Sequence, residues 1–185
     1  MPLAAGLSAQ VANWYDAAAA AGLDDPRFAA ELYNWMRFTR TDPGWQRDGL
    51  ATDCLALSGF EAWGASLALK PAVVKWLARA SLTPLLVSEA AKVKSAARLV
   101  LLHHAQDEPA FDAGRAWYRF WLALTLAGWV GVPMSALGDS PAHQAALLAA
   151  APLPPGRRLL NVMRLGPADV AARSARLPAA ELLLT

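Results

Sequence analysis

The residues best placed to do chemistry lie in the last third of the chain. Gly131-Val132-Pro133-Met134-Ser135-Ala136 follows a long apolar segment and precedes a capped one. A chain that leaves a helix in extended form presents its own backbone amides. These can hydrogen-bond the polar edge of a planar ligand while apolar neighbours cover its face. From the pattern alone, an ordinary helix-to-helix connection is the favoured reading. From Pro155 onward come five arginines (Arg157, Arg158, Arg164, Arg173 and Arg176) against only Asp169 and Glu181. A planar guanidinium can grip two phosphate oxygens at once, although a solvated basic tail accounts for the same excess.

Other candidates carry less. The lone cysteine, Cys54, excludes an intramolecular disulfide and reads as a small buried hydrophobe rather than a reactive thiol. His103 and His104 are neighbours in a strand-like run, so their side chains alternate in direction, and no Cys or carboxylate stands at metal-ligand spacing. Asp107-Glu108 reads as the charged start of a helix, where negative groups favour the dipole. Trp117, Tyr118 and Trp121 fall largely along one helix side, which favours core or dimer packing over ligand stacking. No catalytic acid, base or nucleophile stands out, and no metal is expected.

The elements that must position these residues are punctuated by caps. Asp25-Pro26, Thr83-Pro84 and Ser140-Pro141 each set a capping oxygen before a residue that needs no amide hydrogen bond. Ser58-Gly59-Phe60-Glu61 has capping-box spacing. Helices are expected near 8–21, 26–38, 59–68, 71–80, 84–94, 109–130 and 141–150. Ala97–His103 and Leu159–Leu165 are short apolar runs that read as strands covered on both faces. Gly64 and Gly128, inside helical patterns, are expected to mark close helix packing. Residues 39–56 form a polar, turn-rich break containing Asp42-Pro43-Gly44 and Asp48-Gly49. The expected fold class is α+β: helix-rich, with a small sheet and a long central core helix. The chain divides into a helical segment and loop over 1–58 and the remainder over 59–185, one domain overall.

Composition narrows the setting. The chain has 185 residues, 56% of them hydrophobic and 17% charged, with eight tryptophans. That balance suggests a dense helical core or a surface meant to be covered. A formal net charge of +2 is too small for a nucleic-acid footprint. Residues 120–133 lack charge, but a bilayer span needs about 20 apolar residues, so this segment reads as core. The N-terminus has no basic region followed by an apolar stretch of signal-peptide type. A cytoplasmic protein without membrane association is expected.

Several of these runs together resemble one family. Residues 114–129, GRAWYRFWLALTLAGW, lead into Val132-Pro133-Met134-Ser135; Leu153–Gly166 reads as a late strand ending in glycine; and Arg176-Leu177-Pro178 precedes Glu181. In that order they resemble the FMN-dependent nitroreductases, in which a long central helix ends in a Gly-x-x-x-Pro-Ile/Met stretch and the chain closes on Arg-x-Pro-x-x-Glu. Asp48-Gly49-Leu50 and Ser88–Lys92 are similar to a longer branch, so the resemblance covers roughly residues 28–182. It implies a nitroreductase-like fold and an oxidoreductase that passes hydride from NAD(P)H through flavin to a nitroaromatic, quinone or similar planar acceptor. Pro133, Met134, Ser135 and Ala136 would face the flavin ring, their amides stabilising negative charge on reduction. Arg176 would hold the FMN phosphate, with Arg173 a second candidate. A homodimer is implied, the site lying at its interface.

The family's opening Arg-Arg-Ser-x-Arg segment and its Pro-Ser-x-x-Asn stretch have no counterpart, since the first arginine is Arg27. The expectation is a partial domain: a fragment, a truncated product, or a half that completes its site with another chain. The alternative function is an interaction module of nitroreductase type without catalytic activity.

Overall fold

The computed structural model describes residues 1–55, 57–87, 89–167 and 175–183. In chain order the elements are α1 (Ser8–Asp24), α2 (Pro26–Trp35), β1 (Met36–Arg37), β2 (Leu50–Ala51), α3 (Gly59–Ala68), α4 (Pro71–Arg79), α5 (Ala90–Lys94), β3 (Arg98–Ala105), α6 (Ala110–Leu126), β4 (Trp129–Pro133), α7 (Ser135–Asp139), α8 (Pro141–Ala150), β5 (Arg157–Pro167) and α9 (Ala179–Leu182). The architecture is mixed helix and sheet, as expected of an α+β chain. It forms two compact units, Met1–Ala21 with Val87–Asp169, and Gly22–Leu86 with Val170–Thr185. The division expected at residue 58 therefore falls inside the second unit.

The first unit is built on a three-stranded antiparallel sheet in the order β3-β5-β4. Leu101 pairs with Val162 and Leu99 with Arg164, while Val132 meets Arg164 from the other side. Directly paired residues share a face, so Leu99, Leu101 and Val162 point together into the main core. Val11 and Ala12 of α1, Val93 of α5, Leu137 of α7 and Leu147 of α8 close over them, each essentially buried. The opposite face carries Met163 and Leu165, and α6 lies against it: a β-carbon on Gly131 would meet Met163, Leu165 and Leu124 of α6. Residues 1–3 run along the outer edge of β3, Leu3 donating its amide to the Leu99 carbonyl (2.8 Å) and Leu101 donating to that of Met1 (2.7 Å).

Departures from the sequence expectations have local causes. The helix expected to 130 ends at Leu126, because Gly128 adopts φ +72° and turns the chain. Nothing approaches the β-carbon positions of Gly128 or Gly64, so neither marks close packing. Trp129–Pro133 is then a strand rather than a loop, its β-branched valines alternating along the pleat. The helix expected over 84–94 is a 3-10 turn (Thr83–Leu86) and a separate α5. Asp16 decides where α5 starts, since its carboxylate accepts from the Glu89 amide (3.1 Å) and the Ala90 amide (3.3 Å).

In the second unit, α2 stops at Trp35 because Met36 is extended and β1 pairs in parallel with β2. The turn-rich loop between them folds around Arg37, whose guanidinium donates to Asp48 Oδ1 (2.5 Å) and the Asn34 carbonyl (2.8 Å), with Asp42 Oδ1 at 3.7 Å. The Ser58 capping box forms as expected. Thr83, buried, donates its hydroxyl to Asp24 Oδ1 (2.8 Å). Among the described residues, no helix is long and apolar enough to cross a membrane.

Candidate functional site

The segment Pro133–Ala136 is the corner where β4 passes into α7. Pro133 closes the strand opposite Met163. Met134 is fully buried, and its amide donates to the Val162 carbonyl at 2.7 Å. That corrects the expectation of a loop with open amides at this residue: the amide is spent on the sheet, and the side chain belongs to the core. Ser135 is exposed, and Ala136 is half-buried. Both stand in the first turn of α7, where amides have no intrahelical acceptor.

Asn161 is the residue that sequence reasoning missed here. It lies on the central strand, almost fully buried, and its Nδ2 donates to Ser135 Oγ at 3.2 Å. Its Oδ1 is buried and has no hydrogen-bond partner among the described residues. A buried, unpaired amide oxygen is costly, and it makes Asn161 the notable polar feature of this corner. Nothing in the local sequence LLNVM marks this asparagine, because only the β5 register brings it to Ser135.

A second polar group lies on the other face of the same strand. Arg164 Nη2 is 3.0 Å from Glu89 Oε2, and Lys92 Nζ is 2.7 Å from Glu89 Oε1. Tyr15 packs nearby, its phenol held above its ordinary pKa by burial and then by the Glu89 charge. No family model matches this chain, and no curated protein or solved structure does either.

The remaining candidates are dispersed. Arg176 belongs to the second unit, where it is exposed and donates from Nη1 to the Ala175 carbonyl at 3.0 Å. Arg173 lies outside the described residues. Cys54 is half-buried rather than buried, and its thiol is pushed up by partial burial and by Asp53. Both histidines act as acceptors: Arg157 Nε donates to His103 Nδ1 (3.0 Å) and Arg158 Nε to His104 Nε2 (2.9 Å). Burial and then Arg157 hold His103 below its ordinary pKa. Glu108 Oε2 is 3.8 Å from His104 Nδ1. No group of three or more potential metal ligands occurs among the described residues.

The aromatic stripe on α6 is narrower than expected. Trp117 and Trp121 are half-buried with ring centroids 5.9 Å apart, whereas Tyr118 is 65% exposed on a different side. One step along a helix turns the side chain by about 100°, which separates Tyr118 from Trp117.

Proposed function

We propose that the chain is the ring-binding portion of an FMN-dependent oxidoreductase of nitroreductase type. The observation that carries this reading is Asn161. Its orphaned carbonyl oxygen sits beside Ser135, at the Pro-Met-Ser corner that resembles the family's flavin contact. The residues present fit one edge of a planar heterocycle: Ser135 and Ala136 would offer amides, Asn161 an acceptor, and Pro133 an apolar margin. When bound, the flavin supplies hydride transfer between NAD(P)H and a planar acceptor such as a nitroaromatic or quinone. The chain's own part is to hold that edge and keep water from the buried Asn161. Arg176 is proposed for the phosphate, with Arg173 beside it in sequence. A homodimer would cover the exposed apolar residues of α6, which include Phe111, Tyr118, Leu122 and Leu126.

The test is reconstitution of the purified chain with FMN, followed by visible absorbance. Yellow protein after desalting is the expected result; a colourless protein that takes up no added FMN refutes the reading. Arg176→Ala should weaken flavin retention, and unchanged retention overturns the phosphate assignment. Ser135→Pro removes one amide at a first-turn position that tolerates proline, together with the hydroxyl that accepts from Asn161 Nδ2, and it should loosen the ring.

A second reading, an interaction module without activity, is favoured by the aromatic surface of the second unit. Phe60, Trp63 and Trp76 are each about 60–80% exposed. A colourless chain that still self-associates would decide for it.

A further inference from the structure

Arg164 is a cation set into the core face of a central strand, between the cross-strand neighbours Leu99 and Val132. One side of its guanidinium is satisfied by Glu89, but Nη1 is buried and makes no hydrogen bond among the described residues. Arg164 lines an open cleft of about 500 Å³ together with Lys92, Ser95, Val130, Val132 and Pro167. Lys92 is half-exposed at the rim, with one of its three donors engaged by Glu89. The cleft therefore brings together an arginine, an ammonium at the rim and a wall of valine and proline.

We propose that this cleft binds a small monocarboxylate with an apolar body, Lys92 Nζ holding the carboxylate at the rim and the Arg164 guanidinium turning to bring its buried, unpaired Nη1 to the same group, while Val130, Val132 and Pro167 cover the rest. Arg164 and Lys92 share the Glu89 carboxylate, and the Asp16 carboxylate stands close by on the Glu89 and Ala90 amides. A monoanion can be held by the remaining donors of the two cations, whereas a phosphate dianion would be repelled more strongly by these two carboxylates. The volume suits a ligand of small-molecule size. Asn161 and Arg164 are three residues apart on a strand and so point to opposite faces. The site is thus distinct from the proposed flavin edge, and each can fail without the other.

The experiment is titration of the full chain with phenylacetate, followed by amide NMR shifts, with neutral phenylacetamide and inorganic phosphate as parallel probes. Saturable shifts centred on Val132, Lys92 and Gly166 with phenylacetate, and much weaker effects from the other two, are expected. Arg164→Leu should weaken binding about tenfold or more, the scale of one charge-assisted hydrogen bond. Because that change strands Glu89 and could disturb folding, Val132→Trp, at an exposed edge position, tests the cleft separately by filling it. Lys92→Glu tests the charge and should weaken binding severalfold. Absence of saturable binding at millimolar phenylacetate, equal binding of phenylacetamide, stronger binding of phosphate, or indifference to both Val132→Trp and Lys92→Glu would each overturn the proposal.

Discussion

Gly131→Ala is the sharpest probe of how the candidate corner is held in place. Gly131 has no positive φ, so its backbone accepts alanine, and only the space around it decides the outcome. An added β-carbon would lie 2.6 Å from Met163 Cε and 3.0 Å from Leu165 Cδ2, with Leu124 Cδ1 at 3.5 Å. The end of a methionine can usually yield, but Met163 is completely buried and its neighbours must move with it. Overpacking of this kind costs roughly 1–3 kcal/mol. Replacing glycine gains roughly 0.4–1 kcal/mol by restricting the unfolded chain. The clash should win, leaving a net loss of about 1–2 kcal/mol. Urea unfolding followed by tryptophan fluorescence would register it as a lower midpoint at unchanged slope. Pairing the change with Met163→Ala supplies a second check, because the new methyl would occupy part of the cavity and the two costs should be less than additive. A neutral or stabilising Gly131→Ala, or strictly additive costs, would refute the packing of α6 against β4 and β5.

Gly64→Ala is the natural counterpart: it lies within α3 with nothing near its β-carbon position, so it should stabilise the second unit by about 1 kcal/mol, measured in the same urea experiment. Ser58→Ala removes the half of the capping box in which the Ser58 hydroxyl accepts from the Glu61 amide, and should cost about 1 kcal/mol, seen as a lower midpoint and reduced helical signal. His103 makes stability depend on pH. Its folded pKa lies below the ordinary 6.5, so as pH falls through 6.5 the unfolded chain takes up a proton that the folded chain refuses, and stability drops until the folded value is passed. Thermal melts from neutral to mildly acid pH should show this loss, and His103→Gln should flatten it.

Elements carrying their own punctuation were legible in the sequence. The Ser58 box starts α3 where its spacing placed it, Pro71 and Pro141 open α4 and α8, and the apolar runs around Val100 and Val162 are strands. What escaped depends on residues far apart in the chain. Asp16 sets the start of α5 from 73 positions away, which no window around residues 84–94 could reveal. The Trp129–Pro133 run reads equally well as a helix end or a loop; Gly128's turn and the β5 ladder make it a strand. The corner at Pro133–Ala136 was found by type and spacing, but the fate of Met134's amide was not, since that depends on Val162. Asn161 looked like an ordinary residue of a late strand and Arg164 like one of five late arginines, and only the start of α7 and Glu89 at the start of α5 give them partners.

The loop around Arg37 has a consequence of a different kind. Residues 39–49 fold about one guanidinium and its carboxylates rather than about an oily centre. Loosening such a segment uncovers little hydrocarbon, so it adds almost nothing to the heat capacity of unfolding and would pass unseen in a calorimeter. Trypsin would see it: the side chains of Arg40 and Arg47 are 82% and 54% exposed, while that of Arg37 is only 14% exposed. The order in which those three bonds are cut, and its acceleration by salt, would read the integrity of a part of the protein to which heating is blind.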